Sequence, residues 1–326
     1  MFQVKLSGTA ERMGRQHGEI LKRVGVQLPA LKPELKEIAN GCEQILQDIA
    51  PEYYVETMAL AESAKLNGSH LMSLLLASPL EHTIPSCSVI AVMGDRSLTN
   101  KTMVGRNYDW LFNPAKFSAA TYHTRPEKHY AHIGNCDWWI GREDGMNEHG
   151  LFVAMSATFL PGVQPGLPFW FIVRLLLERC TNVDEALTLL ESIPHAQSRN
   201  YMLADENKAV VVEATIDNLT IRTPHNGILT MTNHPVTPVL QQQASFIPDD
   251  SFTRYTCLTD FGVEKELISE EDLKAMMKNR ETGIWAEHPF YGQPYGTIWS
   301  LFASPADRKI DILAGDNIGI YSHYSL

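Results

Sequence analysis

The sequence predicts an α+β protein, and three observations carry this prediction. Apolar residues recur at helical spacing from Thr9 to about Ser78, the pattern changes abruptly near residue 86, and short strand-like segments then alternate with helical ones. Hydrophobic residues make up 44% of the 326 residues and charged residues 20%, which is the balance of a globular chain with a large core. We therefore expect a mostly helical segment over 1–86 and a layered α+β domain over 87–326.

The first segment is predicted to be nearly all helix. Leu21, Val24 and Leu28 lie at helical spacing among charged neighbours. Pro51 is well placed as the first residue of a new helix, and Gly68 marks a break before the last helix of the segment.

Beyond Pro85 the sequence predicts β-structure. Segments 87–93 and 102–107 have the pattern of two strands of a hairpin that turns at Gly94 and Asp95. Most of the later strands are consecutive in the chain, so we expect antiparallel pairing. Further strands are predicted at 151–157, 201–204, 209–214, 219–222, 228–232, 297–303 and 310–314, and helices at 169–180, after the N-cap Asn182 and after the N-cap Ser269.

Composition excludes several functional classes. A formal net charge of −11 argues against a strongly basic nucleic-acid binder. No apolar run approaches the roughly 18 residues of a membrane helix, and the N-terminus has no apolar block of signal-peptide length. The 5 cysteines are widely spaced and odd in number, as in a reduced protein. We therefore expect a cytoplasmic chain with no nucleic-acid or membrane partner.

Cys87 is the first candidate for chemistry. It stands where the helical segment ends and the first strand begins, directly after Ser86. An isolated cysteine in a reduced protein is commonly a small buried hydrophobe, and this interpretation stays open. However, the second strand of the hairpin ends with Arg106 and Asp109, so closing the hairpin brings a guanidinium and a carboxylate near Cys87. A nearby cation lowers the pKa of a thiol and raises its thiolate fraction.

Several motifs, in this order along the chain, resemble the N-terminal-nucleophile (Ntn) cysteine hydrolases. The branch is the linear amide C–N hydrolase, or choloylglycine hydrolase, superfamily, and the resemblance is greatest to the acyl-CoA:6-aminopenicillanic acid (isopenicillin-N) acyltransferase-like subgroup. It extends over nearly the whole chain. The motifs are Cys87-Ser88, GRNYDW from Gly105, GMNEHGLFVA from Gly145, SRNYMLAD from Ser198 with VVE from Val211, TNHP from Thr232, SFTRY from Ser251 and GTIWS from Gly296.

The resemblance implies a fold and a mechanism. The fold is a four-layer αββα sandwich with two antiparallel sheets, and residues 1–86 are a helical propeptide. The nucleophile is Cys87, whose own α-amino group acts as the base once the chain is cut between Ser86 and Cys87. An α-amine has a pKa of roughly 7.7–8.0, so it can carry a proton near neutral pH. By the same resemblance, Arg106 and Asp109 orient and polarise the thiol and amine, Asn233 donates to the oxyanion, and Arg254 is a second arginine near the nucleophile.

The expected reaction is hydrolysis of a non-peptide linear amide, such as an N-acyl amide or a penicillin-like compound, through a thioester on Cys87. Transfer of the acyl group to an amine is the alternative. The mechanism requires no metal and no organic cofactor. The expected partners are a small-molecule amide and the retained propeptide 1–86, and the sequence leaves room for a homo-oligomer. Aromatic residues that would suit a hydrophobic acyl group are Trp138, Trp139, Phe159, Phe169 and Trp170.

Other interpretations of the same residues remain open. The chain could be an uncut Cys–His hydrolase in which His82 or His234 is the base, or a non-catalytic ligand-binding protein in which Cys87 is structural. Trp138 and Trp139 could form a pocket wall or simply core. The spacing of His123, His129, His132 and Cys136 could suit a metal site. A place at the surface, in a solvated turn, or in the wall of the substrate cleft is favoured over a metal site.

Overall fold

Two β-sheets packed face to face, with helices on both outer sides, form the protein. The computed structural model describes residues 1–80, 86–112, 119–290, 292–315 and 320–326. The strands are β1 Phe2–Gly8, β2 Ser86–Val92, β3 Met103–Leu111, β4 Ala120–Pro126, β5 His132–Cys136, β6 Asp144–Asn147, β7 Phe152–Ala157, β8 Arg199–Ala204, β9 Ala209–Ala214, β10 Leu219–Arg222, β11 Ile228–Met231, β12 Glu287–Phe290, β13 Gln293–Ser304, β14 Lys309–Ala314 and β15 Ser322–Ser325.

Nine α-helices lie within the described residues. They are α1 Ala10–Val24, α2 Lys36–Ile49, α3 Pro51–Ala64, α4 Gly68–Ala77, α5 Phe169–Arg179, α6 Val183–Ser192, α7 Pro238–Gln243, α8 Asp249–Glu264 and α9 Glu270–Met277. Local chemistry sets several of these ends: Pro51 is the first residue of α3, Asn182 caps α6, and Ser269 forms a capping box with Asp272 at α9.

The strand order explains the layers. The first sheet runs β1–β4–β5–β6–β7–β8–β9–β10, and the second runs β11–β2–β3–β13–β14–β15 with β12 paired to β13. Successive side chains of a strand point to opposite faces, so each strand contributes side chains to two hydrophobic cores. Val153 of β7 belongs to the core beneath the helices, whereas its neighbours Phe152 and Ala154 belong to the core between the sheets. The second sheet shows the same alternation, with Ile90 of β2 facing α8 and α9.

The expected α+β class and the four-layer αββα sandwich are confirmed, with one difference in pairing. β1 pairs with β4 in parallel, so the first sheet is not wholly antiparallel. Parallel strands need a long connection, and here the chain between them passes through four helices and the β2–β3 hairpin. Sequence analysis missed β1, β4, β5, β6, β12 and β15 because these strands are short or rich in polar and glycine residues. No helix of the described residues is long and apolar enough to cross a membrane.

Residues 1–80 share a continuous core with the sandwich. Leu46, Leu60 and Leu75 pack in the same cluster as Phe171 of α5 and Val212 of β9. A buried ion network also links the two parts: Arg174 of α5 contacts Glu56 of α3 at 2.6 Å and Glu178 at 2.9 Å, and Tyr53 donates to Glu178 at 2.9 Å. Burial of three charged side chains is tolerable here because every charge has a partner.

Truncating Arg174 should therefore be costly. The Arg174→Leu variant leaves Glu56 and Glu178 buried without their cation, and we expect it to lower the free energy of unfolding by about 3–5 kcal/mol. Urea unfolding followed by circular dichroism measures this loss. The matched control is Arg15→Leu, which breaks half-exposed pairs with Glu11 and Glu62 and should cost at most about 1 kcal/mol. Equal losses for the two variants would contradict the prediction.

Candidate active site

The pairing of β2 with β3 places Cys87 among the predicted site residues. Cys87 is fully buried and lies directly opposite Tyr108, while Ser86 lies opposite Asp109. Directly opposed residues share a face of the sheet, as do residues two apart along a strand. Cys87, Tyr108 and Arg106 therefore point together into the space between the two sheets, and the predicted hairpin is present.

Three charged or amide side chains contact Cys87 itself. Nη2 of Arg106 lies 3.8 Å from Sγ. The backbone N–H of Cys87 donates to Oδ1 of Asn233 at 2.7 Å, and its carbonyl oxygen accepts from Nη1 of Arg254. The thiol, the N–H and the carbonyl of one residue thus each have a different partner.

Arg254 connects these contacts. From the second turn of α8 its Nη1 also donates to Oγ of Ser88 at 3.0 Å, and its Nη2 donates to Oδ1 of Asn233 at 3.0 Å. Asp250, one helical turn earlier, accepts from Nε at 3.0 Å. Because a guanidinium presents its donors in a rigid fork, Arg254 fixes Cys87, Ser88 and Asn233 relative to one another.

Arg106 is held from the other sheet. It forms an ion pair with Asp144 of β6, and its Nη2 donates to the carbonyl oxygen of Met155 at 3.2 Å. Asp144 is itself fixed by Nε1 of Trp299 at 2.7 Å. The guanidinium carbon lies 5.4 Å from the centre of the Tyr108 ring, within cation–π range. The cation beside the thiol is therefore positioned by both sheets.

Asp109 lies beside the Ser86–Cys87 bond as a buried carboxyl. Its Oδ1 accepts from Oγ1 of Thr297 at 2.7 Å. Burial raises the pKa of Asp109 to about 7, against the opposing attraction of Arg254. Near neutral pH this carboxyl can hold or release a proton one residue away from the predicted cleavage site.

The thiol of the uncut chain is not activated by its surroundings alone. Burial raises the pKa of Cys87 to about 11, and the nearby Arg106 offsets only part of that effect. A protonated thiol is a weak nucleophile, so attack requires a base that removes its proton. Asp109, whose pKa is about 7, is a titratable carboxyl close to this thiol.

In the uncut chain, the side-chain amide of Asn233 does not have the orientation expected of an oxyanion donor. Its side-chain oxygen, not its N–H, faces Cys87, while Nδ2 donates to the carbonyl oxygen of Ala157 at 3.3 Å. The backbone N–H of Asn233 donates to Oγ of Ser251 at 2.8 Å. The oxyanion role of Asn233 thus stays a prediction, and the structure shows only that its amide lies at Cys87.

Some residues of the site were missed by sequence analysis. Ser251 accepts from Asn233 and contacts Nδ1 of His234 at 2.7 Å, and Thr297 holds Asp109. Single serines and threonines carry no signal of their own in a sequence. The pair Asp250 and Arg254 does carry one, since opposite charges four residues apart are typical of a helix, but α8 itself was not predicted.

The competing Cys–His arrangement finds no support in the described part of the chain, where no histidine forms a hydrogen bond with Cys87. His234 contacts Ser251 and Thr232 instead, and burial lowers its pKa to about 4. His82 lies outside the described residues.

The four members of the predicted metal-like cluster have separate partners. His123 contacts Gln3, His129 lies 3.4 Å from Glu52, His132 lies 3.9 Å from Glu178, and Cys136 accepts from the backbone of Trp138. The one convergent group of potential ligands within the described residues is Cys136, Asp137 and Glu143.

Asp109 should make folding stability depend on pH. Between the ordinary carboxyl pKa near 4 and about 7, the folded state keeps a proton that the unfolded chain has released, so stability falls as pH rises through this window. In a Cys87→Ala background, which keeps the chain whole, Asp109→Asn should flatten this decline by at most about 1.4 kcal/mol per pH unit. Urea unfolding between pH 5 and pH 7.5 measures it. The exposed Asp217→Asn control should follow the parent, and an Asp109→Asn profile identical to the parent would refute the assignment.

Three solved structures are similar to this chain over most of its length. The N-acylethanolamine-hydrolyzing acid amidase ortholog of Caenorhabditis elegans is 14% identical, with 74% of this chain and 100% of that chain covered at a TM-score of 0.50. A mutant of the conjugated bile acid hydrolase from Clostridium perfringens is 16% identical, covering 74% and 92%, at a TM-score of 0.47. Penicillin V acylase from Agrobacterium tumefaciens is 15% identical, covering 70% and 83%, also at 0.47. None of the curated proteins matches the sequence significantly.

The sequence matches one family model, acyl-coenzyme A:6-aminopenicillanic acid acyl-transferase, over residues 97–318. This span is more than half of the chain. It includes Arg106, Asp109, Asn233 and Arg254 and begins shortly after Cys87. Together with the two-sheet sandwich expected for an Ntn hydrolase, the match identifies the chain as a member of the acyl-coenzyme A:6-aminopenicillanic acid acyl-transferase family.

Proposed function

We propose that the protein is a self-processing amidohydrolase that cleaves linear N-acyl amides through a thioester on Cys87. The observation that carries this proposal is the set of contacts to Cys87, in which Arg106 meets the thiol, Asn233 the N–H and Arg254 the carbonyl. Any buried residue needs partners for its backbone N–H and carbonyl, but a structural cysteine needs no buried guanidinium beside its sulfur. Membership of a family named for acyl transfer supports the same chemistry.

Self-processing is the first step of the proposal, because an amide nitrogen cannot serve as a base. The Cys87 thiol gives up its proton, and Sγ attacks the carbonyl carbon of Ser86. The C–N bond breaks as the nitrogen takes up the proton, leaving a free α-amine and a thioester between Ser86 and Sγ. Water then hydrolyses the thioester, so that Ser86 ends as a carboxylate and Cys87 as a free thiol.

The processed Cys87 carries its own base. The α-amine takes the thiol proton, Sγ attacks the substrate amide carbonyl, and the amine product leaves with that proton. Asn233 is the proposed donor to the oxyanion, since its amide lies against the Cys87 nitrogen in the uncut chain. Water resolves the thioester and releases the acid.

The surrounding charges have positioning and electrostatic roles in this proposal. Arg106 stabilises negative charge that develops on sulfur, from 3.8 Å away. Arg254 donates to the carbonyl oxygen of Cys87 and to Oδ1 of Asn233 and so fixes their relative positions. Asp109, with its raised pKa, exchanges protons beside the scissile bond.

Acyl transfer to an amine is the second candidate, and the family name favours it. The thioester is common to both reactions, and only the final acceptor differs. Product analysis with and without an added amine separates them: a new amide indicates transfer, and only the free acid indicates hydrolysis.

Processing is tested by the mass of the denatured protein. We expect wild type to give two fragments, 1–86 and 87–326, the larger beginning with Cys87 in N-terminal sequencing. Cys87→Ala should remain a single chain, since it has no thiol to attack Ser86. Cys257→Ala is the matched control because Cys257 is another free cysteine, half-buried on α8, and it should be processed like wild type.

An intact wild-type chain that turns over N-acyl amides would overturn the proposal and favour an uncut hydrolase. Cleavage of Cys87→Ala at the same bond would likewise show that the cut does not depend on this thiol.

The released segment should stay bound after cleavage. Residues 1–80 bury Leu46, Leu60 and Leu75 in the shared core, and Glu56 forms an ion pair with Arg174. Cutting one peptide bond removes none of these contacts, and burial of each such leucine is worth about 1.5–3 kcal/mol. The two fragments should therefore co-elute in size-exclusion chromatography in native buffer and separate in 6 M guanidinium chloride. Separate elution in native buffer would contradict the prediction.

A further inference from the structure

The side-chain hydroxyl of Ser86 has partners of its own beside the bond that is cut in the proposed self-processing. Ser86 is 7% exposed, and its Oγ donates to Oδ2 of Asp250 at 3.4 Å. Tyr295 is buried, and its phenol is hydrogen-bonded to the same hydroxyl and donates to the carbonyl oxygen of Asp109 at 3.4 Å. None of the roles proposed above uses these contacts of Ser86.

Asp250 also connects the two sides of the Ser86–Cys87 bond. Its Oδ2 accepts from Nε of Arg254 at 3.0 Å as well as from Ser86. Arg254 in turn donates to the carbonyl oxygen of Cys87. Asp250 and Arg254 lie one helical turn apart on α8, so one helix holds both the side chain before the bond and the carbonyl after it.

The backbone of the same peptide is fixed as well. The N–H and the carbonyl of Cys87 bond to Asn233 and Arg254, on the side of β2 that faces away from β3. Backbone groups alternate in direction along a strand, so those of Ser86 point towards β3, where Asp109 is the opposite residue. The carbonyl of Ser86 therefore faces the backbone N–H of Asp109, a donor placed for the oxyanion that forms when sulfur attacks.

The geometry of the attack explains why alignment matters. Ser86 and Cys87 are neighbours in a strand, so their side chains point to opposite faces of the sheet. Sγ lies on the inner face and reaches the carbonyl carbon of Ser86 only when the peptide plane between the two residues is turned towards it. Contacts on both sides of the bond restrict rotation of that plane, and holding reacting atoms in such a geometry accelerates an intramolecular step.

We propose that the hydroxyl of Ser86 is a positioning group for self-processing, which Asp250 and Tyr295 hold so that the carbonyl carbon of Ser86 stays aligned for attack by Sγ of Cys87. This inference rests on the proposed self-processing and names a determinant of its rate. The three side chains act through the peptide that is cut, and none of them exchanges a proton in the reaction. An alanine at position 86 keeps the peptide and the thiol but loses the hold on the acyl side.

The rate of cleavage of full-length variants tests the proposal. Each chain is synthesised in a cell-free system with a short pulse of radiolabelled methionine, and denaturing gels follow the ratio of uncut chain to fragment 87–326 over time. Ser86→Ala should lengthen the half-time of cleavage by about tenfold, the loss expected for a hydrogen bond to a charged group. In a background that carries Asp250→Ala and Tyr295→Phe, the same substitution should lengthen it by less than about twofold, because the hydroxyl has already lost both partners.

The matched control is Asp249→Ala, since Asp249 is an exposed carboxyl in the same first turn of α8, and this variant should be cut like wild type. Stability measurements separate alignment of the bond from general support of the fold. In a Cys87→Ala background, which keeps the chain whole, Ser86→Ala should lower the urea midpoint no more than Asp249→Ala does.

The outcomes separate this inference from the proposed function. Cleavage of Ser86→Ala at the wild-type rate overturns the positioning role and leaves the amidohydrolase intact. Equal slowing in both backgrounds also overturns it, because the hydroxyl then acts without Asp250 and Tyr295. A lower urea midpoint of Ser86→Ala than of Asp249→Ala overturns it in favour of a role in folding. If wild type itself stays uncut, the proposed function fails, and this inference fails with it.

Discussion

The register of the β2–β3 hairpin is the constraint on which the rest of the site depends. With Cys87 opposite Tyr108 and Ser86 opposite Asp109, Cys87 and Arg106 share the inner face of the sheet, while Asp109 lies beside the Ser86–Cys87 bond. A slip of one residue would turn every side chain of β2 to the other face. The Cys87 thiol would then face α8 and α9 and lose its contact with Arg106.

The second constraint is the burial of charge around Cys87. Arg106, Arg254, Asp109 and Asp144 are all buried, and each has a partner supplied by a different strand or helix. Low-dielectric surroundings strengthen these interactions and make any unpaired member costly. The same surroundings raise the pKa of the thiol and of Asp109. In the proposed mechanism a proton must therefore move before sulfur can attack.

Residues 1–80 are part of this architecture and contribute a strand as well as helices. β1 extends the first sheet by pairing with β4, and the helices complete the outer layer over β7, β8 and β9. The turn after α1 also lines a cavity of about 650 Å³ together with Trp110, Trp138 and Trp139. The segment that precedes Cys87 thus contributes to the core and to the wall of a cavity.

The sequence by itself determined the class of the fold, most strands of the second sheet and the identity of the five candidate catalytic residues, because apolar periodicity and ordered motifs are local signals. It did not determine the parallel pairing of β1, the helix α8 that carries Arg254 or the placement of Asp137 against Tyr108. The β1–β4 pairing and the contact between Asp137 and Tyr108 join residues apart in the chain, and polar strands such as β5 and β6 are stabilised by their neighbours rather than by their own composition. Only the tertiary structure decided which side of its amide Asn233 turns to Cys87 and which groups surround the buried carboxyls, since both depend on how the two sheets pack.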